Sequence, residues 1–382
     1  MSGICLFTRS WKSGAGWFAQ ELAQALGAQG AEVVFVAPPA EPANREPSHP
    51  GVRRVKPPRE LVGSATWLRK FAVSSARVVL SCWAVLMARR RCKVFIASIP
   101  EPLLFTIPLF LLLRLTSAHV IYVVHDAVPH AWKFRGPLLA VEKFGHALSY
   151  RLASTLVTLT QSAKDDLVKI FGIAEEKISI IPHGVYKIEG LAPIPASDTL
   201  LIFGTLRKNK CVLECIEAIQ LLRSEGYPTK LVVAGAPYKN EKEYWDECQR
   251  RIQCRSEGIE VHARFLSDDD LGPLFSRIDA VLLAYQGFSS QSGVAVLTAL
   301  SGRPVIGTLA GGLGELYRQG MALEIVTAPV DVQAVVDAIK SFYARPTEEW
   351  QRASNEARDR LAEHLSWENI AKRYIALVQL SA

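Results

Sequence analysis

Short apolar runs alternate with stretches of helical period along the whole chain, and this alternation limits the fold more than any other feature. The first runs are GICLFTRS (3–10) and EVVFVAP (32–38), separated by the amphipathic FAQELAQALGAQG, which Gly30 closes. KVFIAS (93–98), HVIYVVHD (119–126), STLVTLT (154–160) and KISIIPHG (177–184) follow. A period of two giving way to 3.6 and back again is the mark of βαβ units. Strands that are apolar on both sides belong to a parallel sheet covered by helices on both faces. GLAPIPASD (190–198) is Pro-rich and without period, so it predicts a domain linker. A second series follows it: TLLIFGT (199–205), KLVVAGA (230–236), EVHARFL (260–266), DAVLLAY (279–285), RPVIGTL (303–309) and ALEIVTA (322–328). With 382 residues the chain exceeds one core. The expectation is two α/β domains, 1–190 and 191–382, facing each other across a cleft.

Charge divides along the same line. Residues 1–190 hold 23 Lys and Arg against 13 Asp and Glu, whereas residues 191–382 hold 21 against 24. The excess is densest at 53–93, with eleven basic residues and one acid, Glu60. Only the first half is therefore expected to meet an anionic partner. No aromatic-basic recognition motif occurs, so nucleic acid is excluded in favour of an anionic membrane surface. LLFTIPLFLLLRL (103–115) is too short to span a bilayer and is interrupted by Pro108. Residues 65–91 carry Arg69, Lys70 and Arg77 beside Trp67, Phe71 and Trp83, which suits an interfacial helix, or a helix packed on the sheet with solvated basic ends, better than a spanning one. The N-terminus has no basic-apolar-small pattern and predicts no secretory signal. Seven cysteines without a Cys-x-x-Cys pair read as reduced thiols in a cytosolic protein.

Ligands of open parallel sheets bind beyond the carboxyl ends of strands, so the loops there hold the candidate residues. FGTLRKNKCVLECIEAI (203–219) puts Arg207 and Lys210 next to a helix start, a combination suited to a diphosphate. VVHDAVPH (123–130) ends a strand on His125 and Asp126, a pair suited to proton transfer or to a structural hydrogen bond. SGAGW (13–17) reads as a Gly-rich turn able to approach a phosphate or a sugar, without the full G-x-G-x-x-G of dinucleotide binding. QGFSSQSGVAVLTALSG (286–302) opens an apolar helix from a Ser/Gln-rich turn and contains no carboxylate.

In this order and spacing the motifs, together with TQSAKDDL, ISIIPHGV, LVVAGAP, SGRPVIGTLAGGLGEL and the closing LSWENIAKRY, resemble the GT-B glycosyltransferases of family four, of the kind used in bacterial exopolysaccharide and O-antigen assembly. The resemblance covers nearly the whole chain. It implies two Rossmann-like domains, the first for the acceptor and the second for a nucleotide-sugar donor, with the last helix packing back on the first. It implies that Arg207 and Lys210 grip the donor diphosphate without a metal or other cofactor, that Gly14 and Gly16 face the donor, and that His125 lies near the transferred sugar. Much of the family carries Glu, seven residues, then Glu in the loop-helix. Aligned on Gly293, these positions are Ser290 and Thr298 here. A subset with a Tyr…Ser-Gly pattern shares the departure, and Tyr285, Ser292 and Gly293 fit it. Ser290, Gln291 and Thr298 then offer neutral hydrogen bonds, and a pocket free of carboxylates tolerates an acidic donor sugar such as a uronic acid. Retaining members hold the donor with this loop, whereas inverting ones need a general base, for which Asp126 is best placed, with Glu101 behind it; Glu315 is either a further donor contact or a helix-capping acid.

The expected activity is thus transfer of a sugar from a nucleoside diphosphate, UDP rather than GDP, to a polyprenyl-diphosphate-linked saccharide. The expected place is the cytoplasmic side, peripheral on the inner face of the plasma membrane. The alternatives are a GT-B nucleotide-sugar epimerase and a non-catalytic partner of an active transferase.

Overall fold

The computed structural model describes residues 3–10, 13–40, 46–59, 66–128, 132, 134–184, 188 and 190–380. Pro129 and His130 of the strand-end motif, and Trp11 and Lys12 ahead of the first helix, lie outside the described residues. The chain forms two compact units, Met1–Gly184 with Leu365–Ala382, and Val185–His364.

The first unit begins with β1 (Gly3–Thr8), α1 (Ser13–Ala28), β2 (Val33–Val36), β3 (Val52–Val55) and α2 (Trp67–Ala88). It continues through β4 (Cys92–Ile99), α3 (Leu103–Leu115), β5 (His119–Val124), α4 (Pro137–Leu152), β6 (Thr155–Thr158), α5 (Gln161–Phe171) and β7 (Ile178–Ile180). Its sheet has the order β3-β2-β1-β4-β5-β6-β7, with every pairing parallel. The period of two is visible in β1. Ile4 and Leu6 enter the core with Phe18 and Leu22 of α1, while Cys5 and Phe7 enter the opposite core with residues of α2 to α5. The closing helix α13 (Trp367–Gln379) packs on α1 and contributes Ile370, Ala371 and Tyr374 to the α1 side.

One strand was hidden in the sequence. β3 reads VRRV, and its two arginines break the apolar run. It is an edge strand, where charged side chains are tolerated and discourage pairing with another chain. Arg54 forms an ion pair with Glu46. The expected interruption at Pro108 does not occur, and α3 runs through it. The carbonyl that proline leaves without a donor belongs to Leu104, in the exposed first turn of α3.

The second unit carries β8 (Thr199–Phe203), α6 (Val212–Ser224), β9 (Lys230–Ala234), α7 (Lys242–Cys254), β10 (Ile259–His262), α8 (Asp268–Ser276) and β11 (Ala280–Leu283). It is completed by α9 (Gly293–Leu300), β12 (Val305–Gly307), α10 (Gly312–Arg318), β13 (Leu323–Ile325), α11 (Val332–Ala344) and α12 (Thr347–Leu365). The sheet order is β10-β9-β8-β11-β12-β13, again wholly parallel. Each unit is thus a doubly wound α/β domain.

The Pro-rich stretch 190–198 was expected to lie between domains, yet the division falls at 184/185. The cause is local. Ile194 is buried in the second core and its N–H donates to Gln351 Oε1 at 2.7 Å. The buried Arg303 donates to the Ala192 carbonyl at 2.9 Å and to that of Phe275 at 3.1 Å. Asp279 accepts from Ser197 N at 2.9 Å and Thr199 N at 3.2 Å. A stretch without period is here an anchored strap.

Candidate functional site

Each sheet reverses its strand order once, at β1/β4 in the first unit and at β8/β11 in the second. Loops leaving the carboxyl ends of two such strands diverge, and the space between them is where doubly wound domains bind ligands. In the second unit these loops are 204–211 and 284–292, which carry most of the candidates.

The 204–211 loop leaves β8 through Gly204 and ends in a short 3₁₀ turn, Lys208–Lys210. Its partner is held against it, since Gln286 N–H donates to the Asn209 carbonyl at 2.9 Å. Lys210 Nζ donates to the Phe203 carbonyl at 3.2 Å and stands 5.5 Å from the centre of the Tyr285 ring. Burial, and then the neighbouring Arg207 charge, push its pKa down to about 7. The Arg207 guanidinium stacks 4.1 Å from the centre of the Tyr238 ring, which fixes its plane. Arg207 Nε and Asn209 Oδ1 are buried with no hydrogen-bond partner among the described residues. Buried polar atoms are rarely left so, and two in one loop mark a place built for a polar ligand.

Tyr285 and Ser292 shape the opposite side. Tyr285 is buried, its pKa pushed up to about 12 by that burial, and its hydroxyl meets Ser292 Oγ at 3.1 Å. Ser292 is the N-cap of α9 and accepts the Ala295 N–H at 3.2 Å. First-turn amides have no intrahelical acceptor. With that of Ala295 capped, those of Gly293 and Val294 remain for an anion. Gly293 is exposed, and no side chain stands on its Cα. The start of α6 is less open than the sequence implied, because the Tyr244 hydroxyl accepts the Leu213 N–H at 3.0 Å.

Two expected donor contacts sit differently. Thr298 is fully buried and donates its hydroxyl to the Val294 carbonyl at 2.7 Å, so it bonds its own helix. Ser290 is buried, and its carbonyl accepts the Gly312 N–H at 3.1 Å, tying this loop to α10. Gln291 is half-buried beside the N-cap. Glu315 lies in the first turn of α10, where a carboxylate complements the helix dipole.

In the first unit the β5 end carries His125 and Asp126. His125 Nε2 bonds Ser98 Oγ on β4 at 3.1 Å. The Phe18 edge meets the imidazole at a centroid distance of 5.0 Å, and Phe18 in turn packs against His183 and Trp367. Burial, reinforced by His183, lowers the His125 pKa to about 3, so the imidazole is neutral throughout the physiological range. Glu101, the second candidate base, is buried and ion-paired to Arg77 of α2 at 3.4 Å. That pairing holds it away from proton transfer. Asp126 is half-buried at the strand end.

Gly14 and Gly16 require a correction. They were read as a loop, but α1 starts at Ser13, so both lie in its first turn. Packing of Phe18, Leu22 and Leu26 in the core outweighs the low helix propensity of glycine. A helix N-terminus rather than a flexible loop therefore follows β1. Among the described residues, no three His, Cys, Asp or Glu converge as metal ligands.

Comparison with known proteins agrees with this architecture. The family model for Glycosyltransferase Family 4 matches residues 12–186, and that for Glycosyl transferases group 1 matches residues 197–345. Together they span most of the chain, which belongs to the GT-B glycosyltransferases of the family-four kind. A glycogen synthase of Mycobacterium tuberculosis is 28% identical over 229 residues, 58% of this chain and 53% of its own. A lipopolysaccharide 1,2-N-acetylglucosaminetransferase of Salmonella typhimurium is 25% identical over 211 residues, 52% of this chain and 55% of its own. The chain thus spans about half the length of these relatives. The crystal structure of Anabaena Alr3699/HepE in complex with UDP and glucose superposes with a TM-score of 0.73 at 16% identity, covering 99% of this chain and 100% of that one. At that identity the likeness concerns the fold.

Proposed function

We propose that the protein transfers a glycosyl group from a nucleoside diphosphate, UDP rather than GDP, to a saccharide carried on a polyprenyl diphosphate. The observation that carries this reading is the meeting of Arg207, Lys210 and the α9 N-terminus at the β8/β11 reversal. As the glycosidic bond breaks, negative charge grows on the departing diphosphate. Fixed cations and amide hydrogens stabilise that charge more than they stabilise the ground state. This reading needs no metal ion: a guanidinium braced on Tyr238 and an ammonium held at the Phe203 carbonyl are already in place. The UDP in the Anabaena complex supports the choice of base. The lipopolysaccharide transferase supports a surface-polysaccharide acceptor.

The donor sugar is proposed to be acidic. Ser290 and Thr298 replace the glutamates of related enzymes, so a uronate carboxylate meets no like charge there. A panel of UDP-glucose, UDP-glucuronate and GDP-mannose, with membrane lipid extract as acceptor, tests the proposal. Transfer from UDP-glucuronate is the expected result. A strong preference for a neutral hexose removes the uronate assignment, and no transfer from any donor removes the enzyme.

On the acceptor side, His125 Nε2 is engaged by Ser98 Oγ and the ring is packed against Phe18, so Asp126, half-buried at the strand end, is assigned as the general base of an inverting transfer. Asp126→Asn is expected to lower kcat about a hundredfold with folding intact. A near-normal rate would discard the assignment.

The missing carboxylates favour one second reading, a non-catalytic partner of an active transferase. Nucleotide binding separates the two. UDP at a hundred times its Kd is expected to add about 2.7 kcal/mol to stability, read as a rise in Tm. No rise with UDP or GDP would favour the silent partner.

A further inference from the structure

We infer that α2, α3 and α4 together form an apolar face that inserts into the headgroup and upper acyl region of an anionic bilayer. The inference deepens the lipid-linked acceptor reading and rests on it for its biological sense. Among the described residues, 15 of the 23 exposed large hydrophobic side chains fall between Trp67 and Phe144. Helix α2 packs on α3, and α3 on α4, so the exposed side chains share one side of the unit.

Helix α2 is built inside out for a protein surrounded only by water. Its inner face buries Arg77 and Ser81 beside Val78 and Val85, with Arg77 paired to Glu101. Its outer face presents Leu68 at 62%, Val79 at 63% and Trp83 at 60% exposure, within about 60° of one another around the axis. Leu68 and Trp83 are 15 positions apart, about 22 Å along the axis, and Trp67 and Phe71 stand exposed in the turns that precede the first buried residue, Arg77. Leu104 of α3 and Phe144 of α4, at 77% and 63% exposure, extend the face sideways. A contiguous apolar surface of this size needs an occupant.

Charge identifies the occupant. Helices α2 and α3 contain Arg69, Lys70, Arg77 and Arg114 and no acid. The one acid of α4, Glu142, is buried and accepts the Phe134 N–H at 3.1 Å, while Lys143 is exposed. A basic-bordered apolar face without exposed acids matches an anionic bilayer, with Trp83 at the level of the headgroups. By length and composition α2 could cross a membrane. It lies on the surface instead, because Val85 and Ala88 are part of the domain core, with Cys82, Ala84 and Leu86 packed against it. The sequence suggested one interfacial helix with basic and aromatic side chains; the apolar face extends over three helices.

The test is flotation of the full chain with phosphatidylcholine vesicles, alone or mixed with phosphatidylglycerol, at low and high salt. The parent is expected to float with the mixed vesicles and to remain partly bound at high salt. Brominated lipids are expected to quench its tryptophan fluorescence. The variant Leu68→Ser/Val79→Ser/Trp83→Ser is expected to partition at least about tenfold more weakly. All three positions are exposed, so folding is checked by an unchanged Tm and unchanged UDP binding. Equal partition of parent and variant, release of the parent by salt alone, or a stable dimer that does not float would overturn the inference. UDP binding is read in the same samples. A protein that binds UDP but not vesicles refutes the membrane face alone, and one that binds vesicles but not UDP refutes the transferase reading alone.

Discussion

Lys210→Met is expected to lower kcat about 10²–10³-fold, the range seen when one preorganised donor to a developing anion is removed. The side chain sits between the Phe203 carbonyl and the Tyr285 ring, where water screens it poorly. Arg207→Met is expected to act similarly. The double variant should fall short of the summed effects, because the two groups share one anion. Lys210 also gives a pH signature. Its pKa in the free protein is about 7, lowered by burial and then by Arg207. Above that value the amine is neutral, and a diphosphate must draw a proton onto it. UDP affinity should therefore fall as pH rises from 7, by up to about tenfold per unit. The sign for folding is the opposite. The unfolded chain holds this proton up to about pH 10.4, so from 7 to 10.4 it binds more protons than the folded chain and the unliganded protein gains stability. Lys210→Met should abolish both trends. A pH-independent affinity in the parent would show that the ammonium does not contact the anion.

Gly235→Ala is expected to cost more than about 4 kcal/mol, a loss reserved for a few mechanisms. Gly235 follows β9 with φ of +152°, and a Cβ there would lie 1.9 Å from the Gly204 carbonyl oxygen. That atom is backbone and cannot swing aside without moving the loop that bears Arg207 and Lys210. Gly226→Ala provides the control. It too has positive φ, +89°, but no atom lies within 4 Å of its Cβ. It should cost only the strain of a left-handed residue, about 1–2 kcal/mol. Chemical unfolding of the two variants separates close approach from strain. Equal midpoints would mean that the β8 and β9 ends are not in contact as described.

The strands were legible because both faces of each sheet are covered, so apolar runs stand out without alternation. β3 was not legible, since an edge position permits Arg53 and Arg54. Pro108 misled because its lost hydrogen bond falls in the exposed first turn of α3, outside the packed core. Among candidate residues, Arg207 and Lys210 were chosen from their position after a strand and Ser292 from the resemblance, and the structure brings all three to the β8/β11 reversal. Tyr238 was missed: only the third dimension shows an aromatic three residues beyond Gly235 as the brace for Arg207. The same holds for Phe18 and Trp367, which pack around His125 and His183 from sequence positions more than two hundred residues apart. Gly14 and Gly16 were misread as a loop because propensity argued one way and core packing the other. Thr298 stands where the resemblance puts a glutamate, and its hydroxyl turns back on the helix, a choice that depends on a rotamer and leaves no trace in spacing.

The central claim is that two cations and a helix N-terminus capture a diphosphate in the second unit. Isothermal titration with UDP and UMP, on the acid side of neutrality where Lys210 is charged, addresses it most directly. UDP should bind at least about a hundredfold more tightly than UMP, the worth of one or two charge-assisted hydrogen bonds, and Arg207→Met/Lys210→Met should erase that difference. Equal binding of UDP and UMP by the parent, or undiminished UDP binding by the double variant, would contradict it.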